Sequence, residues 1–173
     1  MAEGSPAPLA SPGQLVGTWL LEAYVDVGDD GRTAPGPLGD RPRGLLIYGA
    51  DHHMSVTMMR AAPSRVPDGP SEAAGPAAGP PGAVEAGLVG GVMSGFMGYA
   101  GTWRLTGEGV VHEVTVASHP YLVGRAQVRQ LSLGDGVLTL TGVAPAEAAW
   151  PGRRMLTWRR AGPDDRRTSR AEL

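Results

Sequence analysis

Tyr99-Ala100-Gly101-Thr102-Trp103-Arg104-Leu105-Thr106-Gly107-Glu108-Gly109-Val110-Val111-His112-Glu113-Val114-Thr115-Val116-Ala117 reads as a β-hairpin. Two runs rich in aromatic and β-branched residues, Tyr99 to Leu105 and Val110 to Ala117, flank a Gly-Glu-Gly turn. Similar signals follow: Gly124 to Leu133, the turn Gly134-Asp135-Gly136, Val137 to Thr141, and Arg154 to Arg160. On the N-terminal side, Leu15 to Val27 ends at Gly28-Asp29-Asp30-Gly31. Gly44 to Tyr48 then stands at hairpin distance from His52 to Met59 across Gly49-Ala50-Asp51. Eight short strands joined by tight turns predict an all-β, antiparallel up-and-down meander. Closing it into a barrel removes the exposed edges of an open sheet.

Residues 61–82 interrupt this series. Sixteen of the 22 are Pro, Gly or Ala, and six are Pro, so neither a helix nor a ladder runs through them. The expectation is a flexible loop or lid. From Ala83 to Met97, Val84, Leu88, Val92 and Phe96 recur every four residues, the spacing of a short amphipathic helix between the third and fourth strands of the series, weakened by four glycines. The chain divides into a flexible N-terminus (1–13), one domain (14–160, with 61–97 as loop and helix) and a charged, aperiodic, flexible tail (161–173).

A length of 173 residues suits one domain. The net charge of −2 and the scattered arginines favour no nucleic-acid partner. Without cysteine there is no disulfide framework, thiolate metal site or cysteine nucleophile, which suits a reducing compartment. The start of the chain lacks a signal-peptide pattern and no apolar run has membrane-span length, so the expected location is the cytoplasm, away from membranes.

Strand parity selects the inward side chains. Met54, Val56 and Met58 share one face; so do Tyr99, Trp103 and Leu105; so do His112, Val114 and Val116; so do Leu156 and Trp158. For Tyr48 and Gln127 parity is ambiguous, since Leu45 with Ile47 and Ala126 with Val128 make equally apolar faces. Both are included because an apolar pocket needs donors to orient a ligand. Such an interior is either a filled core or an elongated apolar ligand cavity. The methionines Met54, Met58, Met59, Met93 and Met97 are core filling or an adaptable wall. His52-His53 beside Asp51 reads as a turn, because neighbouring strand residues face opposite ways and do not share a metal ion. The serines lack a nucleophile-elbow context, no phosphate or dinucleotide loop occurs, and neither a cofactor nor a metal is expected.

Gly17-Thr18-Trp19-x-Leu21, Gly44-Leu45-Leu46-Ile47-Tyr48 with Met54-Ser55, Tyr99-Ala100-Gly101-Thr102-Trp103, Gly124-x-x-Gln127-x-Arg129, Asp135-Gly136-x-Leu138-Thr139-Leu140 and Leu156-Thr157-Trp158-Arg159-Arg160 together resemble the bacterial lipocalin-like domain family over about Leu15 to Arg160. The resemblance implies a lipocalin-like barrel in which Trp19 closes one end beneath Arg159 or Arg160. Members of that family include cofactor-independent cyclases that fold a polyene for [4+2] ring closure in polyketide-type biosynthesis. The cyclase reading assigns Tyr99, His112 and Gln127 as catalytic groups and Tyr48, Met54, Met58, Trp103, Arg129 and Trp158 as substrate-binding groups. The alternative is a non-catalytic carrier or sensor of an apolar small molecule. Either fits an apolar small-molecule partner and is compatible with a homodimer.

Overall fold

Strand β1, Gly17–Gly28, is long enough to be paired three ways. The computed structural model, which describes residues 10–61, 95–143 and 152–165, joins the first residues of β1 to β3 (Pro42–Tyr48), its last to β2 (Thr33–Pro35), and its other edge to β9 (Gly152–Arg160). From β3 the ladder passes through β4 (His53–Arg60), β5 (Phe96–Thr106), β6 (Gly109–Ala117), β7 (Ala126–Gly134) and β8 (Val137–Val143) to β9. All pairings are antiparallel, and the β9–β1 pairing closes an eight-stranded barrel with β2 as an extra flap. The expected up-and-down meander is therefore observed. The three-residue β2 lies in a proline-bearing connection too short to carry an alternation signal.

One end of the barrel is plugged. The turn α1, Pro12–Leu15, places Leu15 under the barrel floor, where its carbonyl accepts a 2.8 Å hydrogen bond from Trp19 Nε1. The Arg160 guanidinium stacks 4.2 Å from the Trp19 ring and donates to the carbonyls of Val16 and Gln14. Arg160, not Arg159, is thus the arginine over Trp19. Arg159 faces solvent and pairs with Asp165 and Glu22. Gly17 makes room for this arrangement, because a Cβ there would press on Arg160.

Two bulges reset strand parity. In β1 the register shifts between Leu21 and Ala23, leaving Glu22 outside. Trp19 and Leu21 point inward before the bulge, Tyr24 and Asp26 after it. In β6 the register shifts opposite Ala100 and Gly101. His112 and Val114 stay buried, but Val116, expected inside with them, is 61% exposed. An extra residue in one strand rotates everything beyond it to the other face.

The expected loop over 61–82 and most of the helix expected over Ala83–Met97 lie outside the described residues. Phe96 and Met97, at its end, are strand rather than helix, because they continue the β5 ladder opposite Met59 and Met58. The short α-helix seen among the described residues is α1. No helix of the described residues is long and apolar enough to cross a membrane.

Candidate functional site

Strands β3, β5, β6 and β7 bring a tyrosine, a second tyrosine, a histidine and an arginine to the inside of this apolar barrel. His112 of β6 is 1% exposed, and both its ring nitrogens meet tyrosine hydroxyls: Nε2 lies 2.7 Å from Tyr48 Oη and Nδ1 3.0 Å from Tyr99 Oη. The Tyr48 hydroxyl, at the buried end of β3, has no other partner among the described residues. The tautomer is assigned by burial: with Tyr48 O–H donating to Nε2 and Nδ1–H donating to Tyr99, the spare phenol proton sits on the tyrosine that lines the cavity, whereas the opposite tautomer would strand it on the fully buried Tyr48. Tyr99 then keeps its own hydroxyl proton for a third partner. Burial drives the ionisations the same way. It pushes the Tyr99 phenol up to about 12 and the Tyr48 phenol well above its usual value. It pushes His112 down to about 3, with the positive charge of Arg129 adding to the effect. At neutral pH all three are uncharged hydrogen-bonding groups.

Arg129 reaches the interior from β7, whose strict alternation turns Gln127, Arg129, Leu131 and Leu133 inward and leaves Val128 exposed. The parity ambiguity at Gln127 and Tyr48 is thus resolved inward for both. Arg129 Nη2 makes a long 3.4 Å contact with Gln127 Oε1, and the guanidinium rests on Gly142 of β8, where any Cβ would overlap it.

Tyr99, His112 and Arg129 share a cavity with Met58, Trp158 and Tyr24, closed off by Leu46, Val56, Met97, Leu140 and Leu156. Its volume is about 30 Å³, the size of one or two water molecules. The elongated cavity expected from parity is therefore not what these side chains leave. Tyr48, Trp103 and Leu46 fill the plugged half. Trp103, expected in the ligand wall, packs 4.8 Å from the Tyr48 ring and donates to the Gly49 carbonyl. Met54 is buried opposite Tyr48. Neither lines the cavity. Met59 is exposed on the outer face, and Met93 lies outside the described residues.

Trp158 does line it, and its Nε1 is a buried side-chain nitrogen with no hydrogen-bond partner among the described residues, the residue being 1% exposed. An orphan donor of this kind costs about 1–3 kcal/mol. Tyr24 is a wall residue that strand parity does not select, and Met97, one of the methionines that read as core filling or an adaptable wall, reaches it from strand β5. For Tyr24 the Glu22 bulge reverses the alternation, and Met97 sits in what reads as helix. Beside the cavity, Asp26 and Arg154 form a nearly buried two-point ion pair at 2.7 and 3.0 Å, with Arg154 also 5.3 Å from the Tyr24 ring.

His112 makes stability depend on pH. An unfolded histidine titrates near 6.5 and the folded one at about 3, so across that window the unfolded chain binds a proton that the folded chain does not. Stability therefore rises with pH through the window and is lost as pH falls below about 6.5, by up to about 1.4 kcal/mol per pH unit from this group. Urea titrations between pH 4 and 6 should show a slope shallower by about that amount in His112→Gln. Equal slopes would contradict the buried, neutral imidazole.

A family model described as Lipocalin-like domain matches residues 16–161. No curated protein matches the chain.

Proposed function

The chain belongs to the lipocalin-like domain family, and on that premise we propose that its barrel binds an apolar small molecule through a hydrogen-bond acceptor held at the inner polar cluster. The observation that carries this reading is the orphan N–H of Trp158 in the cavity wall. A buried donor without a partner carries a standing cost, and an incoming acceptor removes it. The Tyr99 hydroxyl proton, left over once Nδ1–H of His112 occupies its oxygen, is a second donor at the same wall. The cavity accepts the polar end of a ligand. Met58 and Met97, paired across β4 and β5, are unbranched and adaptable enough to make way for its apolar body. A chain without cysteine is compatible with a reducing compartment such as the cytoplasm, where we place this activity.

The catalytic form of this reading is a cofactor-independent cyclase of polyketide-type biosynthesis. The same two donors favour it: they would polarise a carbonyl conjugated to the reacting alkenes while the barrel holds the chain folded. Such a [4+2] closure converts two π bonds into two σ bonds, so product and substrate have equal mass. Tyr99→Phe removes one donor and keeps the ring, and should lower turnover by up to about 10²-fold with little change in affinity. The test is incubation with linear polyene tetronates and tetramates, followed by chromatography for an isomer of unchanged mass. Isomer formation no faster than without protein, alongside retained binding, would leave the carrier.

A further inference from the structure

Resting on the binding reading above, we infer that the ligand ends in a carboxylate, received by the guanidinium of Arg129. The inference comes from a charge count around the cavity. Arg129 lines it, and no carboxylate among the described residues lies within ion-pair distance of it. The one carboxylate buried in this part of the barrel, Asp26, is 3% exposed and already held at two points by Arg154. His112 and Tyr99 are neutral there, for the reasons of burial given above. Among the described residues this positive charge faces the interior without a counter-charge, and only the 3.4 Å contact with Gln127 engages it.

A second, independent observation is the orphan N–H of Trp158 on the same wall. A carboxylate accepts at two oxygens with several lone pairs. It matches the flat, forked guanidinium and has capacity left for an indole N–H and a phenol O–H. A neutral carbonyl or alcohol satisfies the indole but leaves the charge uncompensated. The space of about 30 Å³ suits a compact headgroup. Gly142 is the positional device: it keeps the strand backbone bare where the guanidinium lies.

The test is calorimetric titration of the full chain at neutral pH with decanoate and with decan-1-ol, each below its aggregation limit. Decanoate should bind at least about tenfold more tightly, the scale of a charge-assisted hydrogen bond over a neutral one. In Arg129→Met that preference should collapse to about one while the alcohol still binds. Gly142→Ala, which keeps the arginine but denies it its resting place, should reduce the preference as well, so the inference does not depend on one variant's folding. Equal affinities in the unmodified chain, or a preference that survives in Arg129→Met, would overturn the carboxylate assignment and leave the binding reading standing. Heat from neither compound would overturn both.

Discussion

Trp19→Ala is expected to destabilise the protein by about 3–5 kcal/mol, the range for removing a buried aromatic ring. Trp19 is fully buried, it carries the bond to Leu15 that ties α1 to the barrel, and it is the surface on which Arg160 stacks. Its loss therefore opens the plugged end as well as leaving a void. A marginally stable domain has roughly 5–15 kcal/mol in total, so the melting temperature should fall by on the order of 10 °C. Arg160→Met, which removes an exposed cation and keeps the ring, should cost much less. Urea or thermal denaturation of both variants checks this. A loss below about 1 kcal/mol for Trp19→Ala would show that the ring is not the plug.

Asp26→Ala should be comparably damaging, at about 3–5 kcal/mol, because it strands the largely buried guanidinium of Arg154. The informative comparison is the double replacement Asp26→Leu with Arg154→Leu. Two charges brought out of water together gain little net energy from pairing, so an apolar pair of similar volume should recover most of the loss. Denaturation midpoints of the single and double variants decide it. If the double variant is as unstable as Asp26→Ala, the pair contributes through something other than mutual neutralisation. The comparison also bears on the site, since Asp26 answers the charge of Arg154 and leaves that of Arg129 open.

Much of this was legible in the sequence because turns and alternation are local. The glycine-bracketed turns at 28–31, 107–109 and 134–136 separate strands whose order the barrel keeps, and Met54, Val56, Met58, Leu156 and Trp158 point inward as their parity requires. The errors of inward and outward facing have one physical source. A bulge adds a residue without leaving a sequence signature, so Val116 turns outward and Tyr24 and Asp26 turn inward against the alternation of their strands. The Asp26–Arg154 pair spans strands 128 residues apart in sequence, and only the β1–β9 closure brings it together. Likewise, along the chain Tyr48 and Tyr99 read as separate hydrogen-bond donors. That they bind opposite nitrogens of His112 follows from barrel geometry, which no spacing along the chain encodes. Trp103 points inward as parity requires yet lies away from the cavity, because parity fixes which face a side chain takes and not its depth.

If the orphan N–H of Trp158 receives the ligand, the indole region of a ¹H–¹⁵N spectrum observes it directly. The Trp158 signal, identified by its loss in Trp158→Phe, should move downfield on adding decanoate or decan-1-ol and exchange more slowly with water. Those of Trp19 and Trp103, already bonded to the Leu15 and Gly49 carbonyls, should scarcely change. Ligand-dependent shifts elsewhere with an unmoved Trp158 signal would contradict an acceptor bound at Trp158.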